Sequence, residues 1–370
     1  MAATSWSRWL KRVGAFIGTL LAGAAPSHAA TLPEDHAEAL LHSYEGGGVT
    51  ANGPAFLVRK SIADRVSLSA QYYVDAVSNA SIDVVTTASP FKETRTALGL
   101  GASYLVRDSL LTLSIDRSNE PDYKADTIGL DVTQDVFAGM TTVSVGFTRG
   151  RDDVGEKTRG FFDHATHWQY RTGLTQILSP RWLASANFEV IADDGFLGSP
   201  YRAARVFGAT VPERVPRTRS SRALKLRTIG EFGDAGARTA VRGEYRHYWD
   251  NWDIKAETLE VGASRYFGER WLADAALRYY TQGKALFYSD NATTETIYVT
   301  RNRQLGSFNS IGLSVKGTYS FGGAAAKYGT KLSASYELKQ FRFSDFTDLR
   351  TGQPYSHNAN VLQIYVSANY

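Results

Sequence analysis

The feature that most constrains this chain is a two-residue alternation of apolar and polar side chains that recurs through most of its length. In "RVSLSAQYYVD" the apolar positions run from Val66 to Val74, and in "RWLADAALRYYTQ" they run from Trp271 to Tyr279. This period over about ten residues predicts β-strands with one apolar and one polar face.

The connections between the alternating segments fall into two classes. One class is short, as in "RD" at 107–108, "LSPR" at 178–181 and "FGER" at 267–270. The other is mostly long and polar, with short exceptions near Asn119–Asp122 and Asp250–Asp253, and consists of Ser78–Glu93, Arg149–His164, Asp193–Thr218, Gln282–Gln304 and Ser344–His357. Short turns at one end and long loops at the other are typical of an outer-membrane β-barrel.

The expected number of strands follows from the rule that such barrels have an even number. Fifteen segments alternate clearly, from 54–61 to 359–370, whereas single-chain bacterial barrels have an even number of strands. The stretch "ALLHSYEGG" at 39–47, followed by the turn-forming "GGVTANGP", supplies the missing first strand. The sequence therefore predicts an all-β fold, a single antiparallel up-and-down transmembrane barrel over residues 30–370, with sixteen strands or alternatively fourteen.

The final segment, "NANVLQIYVSANY", alternates as far as its aromatic last residue, Tyr370. In a barrel the last strand pairs with the first, because lipid does not tolerate open sheet edges. We expect Leu362 to Ala368 to face lipid. The terminal aromatic residue resembles the signal by which bacterial outer-membrane proteins are recognised for insertion, so outer-membrane lipid and the barrel-assembly machinery are the expected partners.

The N-terminal segment indicates export from the cytoplasm. Residues 1–29 contain Arg8, Lys11 and Arg12, an apolar run from Val13 to Ala25 and small residues ending at Ala29. This order is typical of a cleaved secretory signal peptide, and the run is shorter than the ~20 residues of a membrane-spanning helix. The expected location is the outer membrane of a Gram-negative envelope.

Composition excludes several classes of function. The chain has no Cys, which rules out disulfides and thiol chemistry. Three of the four net positive charges come from the predicted signal peptide, so the mature chain does not have the basic balance of a nucleic-acid-binding protein. No Gly-rich phosphate loop opens a helix, and we predict no cofactor.

The histidines do not form a recognisable catalytic or metal-binding pattern. His164 and His167 are three residues apart, which puts them on opposite faces of a strand. His247 lies near Glu244 and Asp250 and could act as a base, but the spacing gives no reason to prefer it. We therefore predict no catalytic and no metal-binding residues.

The longest loop, "DDGFLGSPYRAARVFGATVPERVPRTRSSR", combines basic and aromatic residues. Its rings, among them Phe196, Tyr201 and Phe207, are too many for a freely solvated loop. We expect it to fold into the lumen with its arginines paired to lumen acids, either as a plug or, alternatively, as an anion site. The loop sequence also contains Arg222. The candidate polar cluster consists of Arg202, Arg205, Arg214, Arg217, Arg219, Glu189, Glu244, Arg246, Asp250 and Arg278.

Several longer stretches resemble the recurring motifs of a bacterial family catalogued as domain of unknown function 3570. They are "YYVDAVSNASIDVVTTASPFKETR", "SNEPDY", "DDGFLGSPYRAARV", "VPERVPRTR", "EYRHYWDNW" and "RYYTQGKALFYS". The resemblance covers about residues 40–370 and implies an outer-membrane-type barrel with no known reaction. Its members tend to resemble partners in redox or flavin-transfer gene clusters.

Two classes of function remain open. The first is a pore or loop-plugged channel, since sixteen strands enclose an aqueous lumen and the predicted inward face includes Arg242, Asp274 and Lys316. The second is a closed barrel that acts as a scaffold or accessory component of an envelope redox or maturation system. A membrane-embedded hydrolase is a more distant alternative.

Overall fold

The structure is a computed structural model that describes residues 30–79, 91–156, 160–233, 238–322 and 329–370. Within these residues the chain forms eighteen β-strands and one short 3₁₀ helix, Arg303–Leu305. The strands are β1 His36–Gly46, β2 Val49–Ala63, β3 Val66–Asn79, β4 Phe91–Val106, β5 Ser109–Glu120, β6 Tyr123–Val136, β7 Thr141–Glu156, β8 Phe161–Ser179, β9 Trp182–Gly195, β10 Ala203–Val206, β11 Ala209–Pro212, β12 Thr218–Phe232, β13 Thr239–Asp250, β14 Lys255–Phe267, β15 Trp271–Gln282, β16 Phe308–Ser320, β17 Gly329–Asp348 and β18 Gln353–Asn369.

Sixteen of these strands form one closed antiparallel barrel, which confirms the predicted number. Each strand pairs with its neighbours in chain order, and β1 closes the circuit against β18 with His36 opposite Asn369. The remaining two strands, β10 and β11, form a separate hairpin in the loop between β9 and β12. Among the residues that the structure describes, no helix is both long and apolar enough to cross a membrane.

The two faces of the strands have the predicted register. On β15, Leu277 is 56% exposed on the outer surface, whereas Asp274 faces inward and pairs with Arg242. The exposed apolar residues of all the strands form one outer apolar belt, whose members include Leu68, Leu100, Leu113, Leu130, Val145, Leu174, Leu226, Leu259, Leu313, Leu338, Leu362 and Ile364. A sheet with this outer face is suited to lipid, and its inner face to water or to packed polar groups.

Aromatic rings mark the short-turn end of the belt. Trp271 packs against Tyr319 with ring centroids 4.9 Å apart, and Trp182 packs edge-on against Phe232 at 5.3 Å. The last residue, Tyr370, joins this ring, because its hydroxyl donates to the Arg59 carbonyl at 3.1 Å. Interfacial aromatic girdles of this kind are characteristic of transmembrane barrels.

The structure corrects the predicted division into strands and loops in three places. The segments Arg149–His164 and Ser344–His357, expected as long loops, largely extend β7, β8, β17 and β18 beyond the belt. The strand expected from residue 54 begins at Val49, and the turn before it is limited to Gly47 and Gly48, both with positive φ. Alternation is a weaker signal in these stretches, because the outer face is polar once the strands leave lipid and β17 has a register shift between Arg342 and Thr347.

Two predictions cannot be compared with the structure. The signal peptide over residues 1–29 and most of the loop at Ser78–Glu93 lie outside the described residues.

Candidate functional site

The two longest described loops are joined to each other at one end of the barrel. They span residues 196–217, which contain the β10–β11 hairpin, and residues 283–307; together we call them the lid. Phe207 N–H donates to the Ala292 carbonyl at 2.8 Å, and Ala292 N–H donates to the Arg205 carbonyl at 2.8 Å. Arg214 and Val299 exchange two further backbone hydrogen bonds, at 3.0 and 2.8 Å. The lid is therefore one hydrogen-bonded unit.

The lid has its own hydrophobic packing. Ala204, Val206, Ala292 and Val299 form a buried cluster between the two loops. A larger cluster connects the lid to the tops of β12, β13 and β14, and its buried members are Ala223, Tyr248, Trp252, Ile254, Ala256, Ala285, Tyr288 and Leu305. The burial of this many apolar side chains fixes the lid against the inner wall of the barrel mouth.

One edge of the lid reaches the turn between β5 and β6. Tyr201 Oη donates to Asp122 Oδ2 at 2.5 Å, and Phe196 packs against Phe161 with ring centroids 4.9 Å apart. Burial, together with the Asp122 carboxylate, raises the pKa of the Tyr201 phenol. Because β5 and β6 are several strands away from β9 and β12, this contact carries the loop across part of the mouth.

The other edge of the lid lies against β17 and β18. Arg301 lies over the Phe346 ring at 4.2 Å and donates to the Thr347 carbonyl at 2.6 Å and to Asp290 Oδ1 at 2.8 Å. Arg303 lies 5.3 Å from the ring centre of Tyr355. Guanidinium groups over aromatic faces are stabilised by the negative quadrupole of the ring.

His357 belongs to this aromatic layer rather than to a catalytic group. It lies above the apolar belt, since its neighbours on β18, Ser356 and Asn358, put polar side chains on the outer surface. Its ring stacks on Phe341 at 4.8 Å. Burial and the positive charge of Arg303 lower the pKa of His357 to about 3, so the imidazole is neutral at ordinary pH.

Below the lid, a chain of ionic groups crosses the inner surface of β7, β8 and β9. His167 lies between two carboxylates, with Nδ1 2.7 Å from Asp193 and Nε2 2.7 Å from Asp152. Farther round the wall, Arg219 forms two hydrogen bonds to Asp250 at 2.5 and 2.8 Å. Arg219 and Asp250 compensate each other's charge, which is how buried charges are retained in folded proteins.

At the depth of the apolar belt the lumen is lined by charged side chains. Arg242 forms a bidentate pair with Asp274, at 2.6 and 3.0 Å, and lies 3.8 Å from Glu260. On the far side, Nη2 of Arg171 donates to both carboxylate oxygens of Asp131, at 2.8 and 3.1 Å. Asp131 is 44% exposed although it faces away from lipid, so the space beside it is open to water.

The predicted arginine cluster is divided among several partners. Of the pairings expected with Glu189, Glu244 and Asp250, the structure contains Arg219–Asp250. Arg202 lies 3.5 Å from Glu213 and Arg217 pairs with Asp163 at 2.7 Å, while Arg205 and Arg214 donate to backbone carbonyls. Arg222 is on the exposed outer face, whereas Glu189, Glu244, Arg246 and Arg278 are on the inner face of their strands. The loop is therefore not a single arginine site.

Two expectations about rings and histidines need correction. Phe207 belongs to the rings that were counted as too many for a freely solvated loop, but it is 67% exposed, because it occupies the turn between β10 and β11. His247 does not lie beside Glu244 and Asp250, since it is on the outer face of β13; it contacts Glu257 at 2.7 Å instead. His164 and His167 do lie on opposite faces of β8. Within the described residues, no group of three or more His, Asp or Glu side chains is arranged to hold a metal ion.

Sequence reasoning missed the lid contacts at Tyr201, Arg301 and Arg303 and the carboxylates around His167. The alternation of β7, β8 and β9, continued beyond the apolar belt, would have predicted that Asp152, His167 and Asp193 face inward. Nothing local indicates that Tyr201 meets a turn 79 positions away.

Comparison with solved structures identifies the same fold in outer-membrane proteins. The chain matches a "Bacterial polysaccharide outer membrane secretin" with a TM-score of 0.53 and 8% identity, covering 91% of this chain and 99% of that one. It also matches the "CymD monoaromatic hydrocarbon channel", with a TM-score of 0.44, 12% identity, and 91% and 88% of the two chains covered. At these identities the first match supports the fold alone, and the second carries no further weight. A search of curated proteins gives no match.

The comparison with family models agrees with the motifs found in the sequence. The family described as "Protein of unknown function (DUF3570)" matches residues 20–161 and 152–358. These two matches cover most of the chain, including fifteen of the sixteen barrel strands in full and the start of β18. The chain belongs to this family.

Proposed function

We propose that the protein is an outer-membrane channel for small polar solutes, with a passage narrowed by the lid. The observation that carries this proposal is the exposure of charged side chains inside the barrel. Asp131 is 44% exposed and Lys225 is 32% exposed, although both face away from lipid at the depth of the apolar belt. Both groups have an ion-pair partner, Arg171 for Asp131 and Glu244 for Lys225. A closed core would nevertheless have excluded water from them.

The lid supports a narrowed passage rather than a wide one. It connects Asp122, after β5, with the aromatic layer of β17 and β18 through contacts that start at Tyr201 and end at Arg303. Loops that fold into the mouth of a sixteen-strand barrel restrict the size of the solutes that pass. The predicted role in an envelope redox or maturation system has no comparable support among these contacts.

The location is part of the same proposal. A cleaved signal peptide over residues 1–29 would direct the chain across the inner membrane, and the aromatic ring of Tyr370, which follows β18, would contact the barrel-assembly machinery. The partners in the final state are the outer-membrane lipids around the apolar belt.

Efflux from liposomes tests the proposal. The refolded protein is reconstituted into vesicles loaded with neutral sugars of increasing size, and protein-free vesicles are the control. We expect release of the smallest sugars and retention of the largest. Retention of every sugar, with the barrel shown to be folded by its β-sheet circular dichroism, would contradict a channel.

A further inference from the structure

On one side of the barrel interior, basic side chains outnumber acidic ones. Among the described residues of β12 to β17 at the depth of the belt, seven basic side chains share the inner face with four acidic ones. The basic residues are Lys225, Arg227, Arg242, Arg246, Arg278, Lys316 and Lys339, and the acidic residues are Glu244, Glu260, Asp274 and Glu337. We call this surface the basic wall. Its formal excess is three positive charges.

The ion pairs within the basic wall do not remove its excess of positive charge. Both carboxylate oxygens of Asp274 accept hydrogen bonds from Arg242. Lys316, which is opposite Asp274 in the β15–β16 register, lies over the Tyr365 ring at 5.0 Å. Glu337 is 3.0 Å from Lys339. Because four acids can neutralise at most four of the seven bases, the basic wall keeps a net positive formal charge.

The wall formed by β5 to β9 has the opposite sign. Its described inward charges at this depth are Asp116, Asp131 and Glu189, with Arg171 as the basic member, so the formal excess is two negative charges. We call it the acidic wall. Above the belt, Arg219 compensates the charge of Asp250. Asp152 and Asp193 share one imidazole, that of His167, and lie on β7 and β9, so they add to the negative charge of the acidic side.

The strand order places the two walls across the lumen from each other. In the circuit of sixteen strands, β5 is eight positions from β15, and β6 is eight positions from β16. Asp116 and Asp131 are therefore on the side opposite Arg278 and Lys316. Opposed rows of fixed charge create a transverse field, and a low-dielectric wall around water strengthens it.

From this arrangement we infer that the passage selects small anionic solutes and orients their negative group toward the basic wall. The inference deepens the proposed channel function and rests on it. The basic wall has the larger excess, and Asp131 on the opposite wall is already paired with Arg171, so anions are favoured over cations. The selecting charges belong to the strands and not to the arginine-rich loop.

Reversal potentials in a planar bilayer under a potassium chloride gradient test this inference. The Arg278→Gln/Lys316→Gln variant should lower the chloride-to-potassium permeability ratio by about two- to fourfold for each charge removed. A charge ~10 Å from the ion path in water changes the partition of chloride and of potassium about twofold in opposite directions, and salt screening reduces this effect. The Asp116→Asn variant should raise the ratio. Arg265→Gln, on the exposed outer face of β14, is the matched control and should leave it unchanged. An unchanged ratio in the double variant would overturn the inference.

A binding measurement keeps the inference testable if the barrel does not conduct. The detergent-solubilised protein is titrated with the trisulfonated dye pyranine, and fluorescence anisotropy reports the bound fraction. We expect salt-sensitive binding that Arg278→Gln/Lys316→Gln weakens and Arg265→Gln does not. If the dye binds as expected but the protein does not conduct, the channel proposal is contradicted and the anion site is not. If the wild type and both variants bind the dye equally, the anion site is overturned.

Discussion

Arg242 on β13 and Asp274 on β15 form a bidentate ion pair inside the barrel, reaching across the intervening strand β14 with N–O distances of 2.6 and 3.0 Å. The Asp274 carboxylate also accepts a hydrogen bond from Ser264 on β14. One carboxylate therefore joins three consecutive strands, all through side chains on the inner face.

This pair should contribute measurably to barrel stability. We expect Asp274→Ala and Arg242→Ala each to lower the free energy of unfolding by about 1–3 kcal/mol, because each leaves a charged partner without its hydrogen bonds. The double variant should lose less than the sum of the two single losses. Urea unfolding in lipid vesicles measures all three, and strictly additive losses would show that the two residues do not interact.

The assignment of outer and inner faces predicts that an added arginine costs much more stability on the lipid-facing side of the barrel than in the lumen. Ala275, on the outer face near the middle of the belt, should tolerate arginine poorly, with Ala275→Arg costing about 2–4 kcal/mol. Gln71→Arg places the same side chain in the lumen, where Gln71 contacts Asp116 at 3.0 Å, and should cost far less. Equal losses in the same unfolding assay would mean that one of the two faces is assigned wrongly.

The N-terminal end of the barrel should have an acid-sensitive ion pair. A hydrogen bond from Lys60, followed by one from the Ser61 N–H, lowers the pKa of Asp35 from 3.8 to about 2. Because the pKa is lower in the folded state, the contribution to stability is complete above pH 3.8 and is lost as the pH falls through about 2.

The difference in unfolding midpoint between the wild type and Asp35→Asn measures this contribution as a function of pH. The difference should be constant at neutral pH and should disappear near pH 2. Lys60→Met removes the same pair and should behave similarly. A difference that persisted below pH 2 would exclude the Asp35 carboxylate as its origin.

The hydrogen bond between Tyr201 and Asp122 should hold the lid at its β5–β6 edge. Tyr201→Phe keeps the ring but removes the donor, so we expect faster protease cleavage within residues 196–217 without loss of the barrel. Tyr298→Phe changes a 43% exposed ring elsewhere in the lid and is the comparison variant. Cleavage at the wild-type rate in Tyr201→Phe would show that this contact does not restrain the lid.

The barrel could be predicted from the sequence because lipid imposes a simple rule on each strand. Residues such as Leu277 and Asp274 alternate since one side meets lipid and the other meets the lumen. The rule stops where β7, β8, β17 and β18 leave the belt, which is why Arg149–His164 and Ser344–His357 resembled loops. There the strands continue because their backbones still pair, as in Arg151 opposite Thr166.

The candidate site was less predictable, because its contacts join distant parts of the chain. The inward positions of Arg242, Asp274 and Lys316 follow from alternation, and so does the separation of His164 from His167. The pairing of Val206 with Ala292 depends on the way two loops fold over the mouth, and no local period encodes it. The same is true of the position of Arg303 beside Tyr355.

Single-channel conductance in a planar bilayer tests most directly the claim that a water-filled passage is narrowed by the lid. The wild type is compared with a variant in which Ala203–Pro212, the β10–β11 hairpin with its turn, is replaced by two glycines. We predict discrete channel events for the wild type and a larger conductance for the variant. Absence of events in both folded proteins would contradict the passage, and equal conductance would contradict its restriction by the lid.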